Sequence, residues 1–153
     1  YLKAMKPNIA GWEADFGKEM MTKNKAWLNM TWSGDAIWAI EEANAVGVDL
    51  DYVVPKEGSN IWYDGWVITK GSENVENAHK WIDFLCSQEA AYDNFEYIYY
   101  GTPNIAGQEL IDEDIINNPG VFPDEETIEK CEVYNYLGEE AEDMYYELWK
   151  KVK

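Results

Sequence analysis

The sequence predicts an α/β domain, because segments with the pattern of strands alternate with segments that have helical spacing. Residues 26–32 are an apolar-rich run that predicts a strand, and a Ser-Gly turn separates this run from a predicted helix at 35–46. Gly47 ends that helix, and a second predicted strand at 49–54 ends at Pro55. Strand, helix and strand in this order predict a βαβ-like unit, so we expect a three-layer α/β arrangement.

The middle of the chain continues this alternation. Residues 61–68 predict another strand, after which Ser72 is expected to cap a helix. A further helix is predicted at 88–99, before a turn that Gly101 and Pro103 impose. The apolar positions of the helix after Ser72 keep helical spacing and are Val75, Ala78, Ile82 and Leu85.

The two ends of the chain are predicted to be helical. The first residues read as a helix that stops at Pro7, and a loop with Trp12 and Asp15 follows. A short helix is expected after Pro123, and the last helix begins near Gly138 with acids at its start and lysines at its end, as the helix dipole favours. One face of the last helix is apolar and carries Ala141, Met144, Tyr145, Leu148 and Val152.

Composition indicates a folded, strongly acidic and aromatic-rich chain. The 153 residues are 46% apolar and carry a formal net charge of −18. Such a charge argues against a nucleic-acid or anionic-membrane surface and favours attraction of cations, although solvated acids often serve solubility alone. Eight Trp and eleven Tyr are more than a core of this size needs, and amphipathic rings often line ligand-binding surfaces.

Signals for catalysis, metals or cofactors are few. The only histidine, His79, lies mid-helix and is expected to be exposed, and no GxGxxG, Walker or HExxH motif occurs. Cys86 and Cys131 lack the spacing of a zinc or redox site. Cys86 is expected to behave as a small buried apolar residue. Whether the two cysteines form a disulfide is left open. The acidic run 112–114 faintly resembles a calcium loop but is better explained as the solvated start of a helix. We expect no cofactor, no metal and no enzymatic activity.

Four residues form a candidate site for a cation. In an extended segment, Trp62, Asp64 and Trp66 would share one face, which offers aromatic planes around a single carboxylate. Trp32 ends the first predicted strand and Tyr100 precedes a turn, so both fall where ligand crevices form in α/β sheets. An alkyl-ammonium ligand needs ring faces for its methylenes and ammonium groups, and a carboxylate at its end.

The motifs LNMTWSGDA, VVPKEGSNIWYDGWVI, NAHKWIDFLCSQEAA, YYGTPN and FPDEETIEKCEVYNYLG, in this order, resemble the carboxyl-terminal half of the spermidine/putrescine-binding proteins of polyamine ABC importers. The resemblance covers essentially the whole chain. It implies that Trp32 and Trp62 pack on the polyamine, that Asp64 holds an amino group and that Tyr100 lines the crevice. It also implies that Trp66 lies in the core.

Two further ligand contacts follow from the same resemblance, at positions where this chain departs from the family pattern. Tyr134 stands where the family often has a glutamine, and Asp15 follows Ala14 where the family often has a serine. The preferred polyamine length is therefore left open.

The resemblance implies a periplasmic-binding-protein-like (type II) two-lobe fold. Residues 1–62 and 109–153 are expected in the carboxyl-terminal lobe, and 63–108 in the other lobe. The implied partners are a polyamine, an ABC transporter permease and a missing N-terminal half of the same protein. The implied location is the periplasm or the outer face of the cell membrane, with lipoprotein anchoring and fusion to the permease both left open.

The chain begins without Met, and no leader or membrane-spanning run is visible, so a longer parent is expected. An isolated chain would leave an apolar face of 63–108 uncovered and is expected to self-associate, most simply as a two-fold dimer. That face carries Val75, Ile82, Leu85 and Phe95. Two other functions stay open: binding of another cationic or small polar solute, and an acidic, aromatic-lined hydrolase.

Overall fold

A computed structural model describes all residues 1–153, and its regular structure is helical. None of the helices combines the length and apolar character needed to cross a bilayer. The helices are α1 (Leu2–Met5), a 3₁₀ turn (Lys6–Asn8), α2 (Gly17–Thr22), α3 (Ser33–Ala45), α4 (Val75–Leu85), α5 (Gln88–Ile98), α6 (Ile105–Gln108), α7 (Glu113–Ile116), α8 (Glu125–Glu129) and α9 (Glu139–Lys150).

The predicted strands do not form a sheet. Residues 26–32, 49–54 and 61–68 contain no strand, and one isolated parallel bridge joins Asn60 to Glu132. A strand exists only when a second segment lies beside it and completes the ladder of hydrogen bonds, and no such neighbour is present here. The α/β class is therefore not confirmed, and the predicted βαβ-like unit is represented by its helix alone.

Most predicted helices are present with small shifts at their ends. Helix α3 starts at Ser33 because the predicted Ser-Gly turn is its first turn, and Gly47 follows its end with a positive φ of 76°. The expected cap at Ser72 is wrong: the Ser72 hydroxyl accepts a hydrogen bond from the Asn74 N–H at 3.3 Å, and α4 begins only at Val75.

Helix α2 was not predicted from the sequence, and it packs against α3. Its six residues contain no side-chain cap and little periodic apolar signal. The small side chains of α3, Ala36, Ala39 and Ala43, are buried and allow a close approach on that side of the molecule. Tertiary contact rather than local propensity therefore explains this helix.

The best-packed core surrounds Phe95 of α5, which is only 2% exposed and touches Ile111 and Val121. The expectation that Phe95 belongs to an uncovered face is wrong, because the chain folds back after α6 and covers it. Val75 of the same predicted face is 44% exposed, as expected for an unpartnered residue.

Much apolar surface lies outside this core. The solvent-accessible surface is 12431 Å², against about 7,900 Å² expected for a compact monomer of this size. Trp66, predicted to be a core residue, is 68% exposed, and Cys86, predicted to be buried, is exposed and free. Both residues lie on surfaces that nothing in this chain covers.

Candidate functional site

Three aromatic rings from distant parts of the chain meet around Trp62. The ring centroids of Trp32 and Trp62 are 4.8 Å apart at an interplanar angle of 73°, and those of Trp62 and Tyr100 are 5.9 Å apart at 71°. Both pairs are edge-to-face, the arrangement that ring quadrupoles favour. We call Trp32, Trp62 and Tyr100 the aromatic cluster.

Trp32 reaches the cluster from the N-terminal end of α3. Its backbone is extended, with φ −70° and ψ 147°, while its carbonyl accepts the first helical hydrogen bond from the Ala36 N–H at 3.0 Å. The residue is thus the N-cap of the helix, with its indole outside the helical turn and 40% exposed.

Trp62 is held by the isolated bridge. The Ile61 N–H donates to the Glu132 carbonyl at 3.0 Å, and the Glu132 N–H donates to the Ser59 carbonyl at 2.9 Å. Gly58 permits this approach, because a Cβ at that position would lie 1.9 Å from the Lys130 carbonyl oxygen and its φ of 96° is strained for other residues.

Tyr100 is positioned by the end of α5. Tyr99 adopts a left-handed conformation with φ 58°, and its hydroxyl donates to Glu41 Oε2 of α3 at 2.8 Å. The Tyr100 ring then packs on Gly34, where a Cβ would lie 2.5 Å from both the ring and the Ile98 carbonyl oxygen. The sequence gives only one hint of this contact, the glycine directly after the Trp-Ser pair.

The close contact at Gly34 leads to a first prediction. Gly34→Ala is expected to lower the free energy of unfolding by about 1 to 3 kcal/mol, because the new methyl group forces Tyr100 or the end of α5 to move. Urea denaturation measures this change. Gly71→Ala is the control, since a Cβ there meets nothing within 4 Å. Equal stability of the two variants would contradict the contact.

Two carboxylates act on the Tyr100 hydroxyl. Burial, followed by the negative charge of Asp35 and by smaller effects of Tyr52 and Asp64, raises the pKa of Tyr100 to about 12, while the Asp35 N–H opposes the shift by favouring the phenolate. Tyr100 is therefore a neutral phenol at physiological pH. Asp64 is exposed and in no ion pair, so the cluster offers three rings beside one open carboxylate.

Asp35 differs from Asp64 because it already has a cationic partner. Lys18 Nζ of α2 lies 2.6 Å from Asp35 Oδ1, and the two side chains are 28% and 19% exposed. The same ammonium lies 5.3 Å from the centre of the Trp38 ring. Sequence reasoning missed this pair because it missed α2.

The other predicted residues lie outside the aromatic cluster. Tyr134 follows the bridge at Glu132 by two residues and is 80% exposed, and Asp15 is exposed in the segment before α2. Neither side chain makes a hydrogen bond within the chain. Their role as ligand contacts stays a prediction.

The histidine and the acidic run that could serve catalysis or metal binding lie far apart in the sequence and form no common site. His79 is exposed on α4, as predicted, and the acidic run 112–114 is exposed at the start of α7, also as predicted. No group of three or more His, Cys, Asp or Glu side chains is arranged to hold a metal ion. The one arrangement with a clear chemical preference is therefore rings beside a carboxylate, which suits an organic cation.

Comparison with known sequences gives a consistent result. A family model described as bacterial extracellular solute-binding protein matches residues 1–123. A spermidine/putrescine-binding periplasmic protein of Salmonella typhimurium is 34% identical over 152 residues, which are 99% of this chain and 42% of that protein. A putrescine/cadaverine-binding protein of Pseudomonas aeruginosa is 29% identical over 152 residues, with 98% and 43% covered.

Solved structures agree with the sequence matches. A spermidine/putrescine ABC transporter substrate-binding protein from Streptococcus pneumoniae has a TM-score of 0.85 at 34% identity, and 99% of this chain covers 46% of that chain. A putative spermidine/putrescine ABC transporter from Listeria monocytogenes has a TM-score of 0.82 at 36% identity, with 99% and 45% covered. The chain therefore spans less than half the length of these relatives.

Proposed function

The chain belongs to the bacterial extracellular solute-binding protein family, and from this premise we propose that it contributes the ring-and-carboxylate part of a polyamine site that serves an ABC importer. The family match confirms the resemblance seen in the sequence. In this proposal the protein captures spermidine or putrescine outside the cytoplasm and delivers it to a permease without chemistry on the ligand. Relatives named for spermidine and putrescine binding support the choice of ligand.

The observation that carries the proposal is the meeting of three aromatic rings around Trp62, two residues before the exposed and unpaired Asp64. A protonated polyamine alternates ammonium groups with short methylene chains, so it needs flat apolar surface and negative charge in alternation. The edge-to-face pairs at 4.8 and 5.9 Å leave ring faces of Trp32, Trp62 and Tyr100 in different orientations, on which methylenes and an ammonium group can pack. The net charge of −18 adds long-range attraction for a cation.

Each predicted contact has a role in this proposal. Trp32 and Trp62 pack on the alkyl chain, Asp64 accepts hydrogen bonds from a terminal ammonium, and the neutral Tyr100 phenol lines the crevice. Tyr134 and Asp15 would reach the ligand from exposed segments outside the cluster. A mixed set of rings and acids is compatible with more than one polyamine length.

The architecture is part of the same proposal. Residues 1–62 and 109–153 would belong to one lobe of a type II periplasmic-binding-protein fold, and 63–108 to the other. The large exposed apolar surface supports the presence of further chain in the working protein, since the relatives are more than twice as long. Lipoprotein anchoring and fusion to the permease are the two alternatives for holding such a protein at the membrane.

A second copy of the chain is the other partner that would cover this exposed apolar surface. Trp27, Leu28 and Met30 are all large apolar residues, yet each is more than nine-tenths exposed. When produced alone, the chain is expected to self-associate, most simply as a two-fold dimer that exchanges or pairs residues 63–108. Light scattering at micromolar concentration measures the mass, and a monomer would contradict this expectation.

Calorimetric titration of the full-length gene product tests the function. Spermidine and putrescine are expected to bind, whereas a neutral oligosaccharide and a monocarboxylic acid are not. Binding of the oligosaccharide with slow release of reducing sugar would instead support the hydrolase. Absence of binding for both polyamines would overturn the proposal.

Trp62 gives the sharpest mutational test of the rings. Trp62→Leu keeps apolar bulk but removes the ring face, so the affinity for spermidine is expected to fall by about 0.5 to 2 kcal/mol without unfolding. Trp27→Leu is the matched control, because Trp27 is 93% exposed and outside the cluster. A large fall in melting temperature at unchanged affinity would assign Trp62 to packing alone.

A further inference from the structure

The ion pair between Lys18 and Asp35 differs from every other ion pair in the chain. The other four join residues three or four positions apart on the surface of one helix, and their side chains are 45% to 84% exposed. Lys18 and Asp35 instead join α2 to the first turn of α3, are less than a third exposed and approach to 2.6 Å. Screening by water is weaker at such a position than at the surface pairs.

This ion pair adjoins the aromatic cluster. Asp35 follows Gly34, where a Cβ would lie 2.5 Å from the Tyr100 ring, so the ring passes close to the start of α3. Asp35 and Asp64 both lie within electrostatic reach of the Tyr100 hydroxyl. Both negative charges therefore act on the phenol, and only that of Asp35 is neutralised by a lysine of the chain itself.

We propose that Lys18 determines the charge specificity of the polyamine site, because its ammonium occupies on Asp35 the position that a ligand ammonium would otherwise take. This inference rests on the proposed function and assigns a role to a residue outside the ligand-contacting set. With Lys18 in place the site presents one free carboxylate, Asp64. Without Lys18 it would present two, and ligands with more positive charges would gain most.

The contact with Trp38 supports a fixed rather than a mobile lysine. The Lys18 ammonium lies 2.6 Å from the Asp35 carboxylate and 5.3 Å from the centre of the Trp38 ring, so two groups hold it in place. A ligand ammonium near Asp35 would have to compete with this lysine for the carboxylate. Asp35 therefore adds little net attraction as long as Lys18 is present.

Opposite charge changes at the two positions test the role. Lys18→Gln frees the Asp35 carboxylate and is expected to tighten spermidine binding by about three- to fivefold, with a smaller gain for putrescine and the smallest for butylamine. Asp35→Asn leaves the lysine charge uncompensated and is expected to weaken the same series in the same order. The double variant is expected to return to within about twofold of the wild-type affinities, since the net charge beside Tyr100 is then restored.

The measurement is calorimetric titration of the full-length gene product with the three amines, together with a thermal melt of each variant. Lys23→Gln is the control, because it breaks a surface pair on the same helix at 57% and 46% exposure and is expected to leave all three affinities unchanged. A merely structural pair would lower the melting temperature and weaken all amines equally in both single variants, which would overturn the inference.

Each result bears on a defined claim. If Lys18→Gln unfolds, the order of losses in Asp35→Asn and the recovery in the double variant still test the inference. Wild-type binding of spermidine with unchanged charge preference in the variants would overturn the inference alone. No binding of any amine by the wild-type protein would overturn both the inference and the proposed function.

Discussion

Phe95→Ala is expected to lower the free energy of unfolding by about 3 to 5 kcal/mol. Phe95 is 2% exposed and is the largest fully buried side chain, in contact with Ile111 and Val121 and with the Phe122 ring at a centroid distance of 5.8 Å. Removal of the ring leaves a cavity between α5 and the segment after α6. Urea denaturation followed by tryptophan fluorescence measures the loss.

A neighbour on the same helix provides the control for this prediction. Tyr97→Ala removes a ring of similar size at a position that is 87% exposed, so its effect on unfolding should stay within about 0.5 kcal/mol. Comparable losses in the two variants would mean that the Phe95 core is not the stabilising centre of the chain. Because only 11 of 153 residues are buried, the loss at Phe95 is large relative to the total core.

Helices were predictable from the sequence because their signals are local. Ser87 caps α5 by accepting a hydrogen bond from the Ala90 N–H, and Asp124 caps α8 by accepting one from the Thr127 N–H at 2.8 Å. Helix α2 lacks such a cap and was missed, so its position became known only from its contact with α3.

Strands and burial were not predictable in the same way, because both depend on segments distant in sequence. Residues 61–68 have the alternation of a strand, yet Val67 is 83% exposed and no ladder forms. A strand pattern specifies which side chains share a face, but the free energy that forms the strand comes from its neighbours. The errors at Trp66 and Cys86 have this origin.

The candidate site was predictable as a set of residues but not as an electrostatic arrangement. Three aromatic positions that the sequence and the family resemblance singled out do meet, through 4.8 and 5.9 Å contacts. The pairing of Asp35 with Lys18 was not foreseeable, because it needs the position of an unpredicted helix. The sequence analysis named Asp64 but not Asp35, and the structure shows that Asp35 is paired with Lys18 whereas Asp64 is in no ion pair.

Asp64→Asn in the full-length gene product is expected to weaken spermidine binding by about 1.5 to 3 kcal/mol, or roughly tenfold to a hundredfold. The amide keeps the shape and one acceptor oxygen but loses the negative charge, so an ammonium group that is desolvated against the Trp62 ring is no longer compensated. Asp64 is the carboxylate beside the cluster without a lysine partner, and its removal leaves that ligand charge without a counter-ion. Calorimetric titration measures the change.

Asp83→Asn is the matched control, because Asp83 is an exposed acid of α4 and its removal changes the net charge by the same amount. The net charge changes by the same amount in the two variants, so a greater loss for Asp64→Asn reports that Asp64 lies close to the bound ammonium. A loss for Asp64→Asn no greater than for Asp83→Asn would show that the negative field of the whole molecule, rather than Asp64, attracts the polyamine. In that case the ammonium would be bound by another carboxylate, such as Asp15 or an acid of the part of the working protein that this chain does not contain.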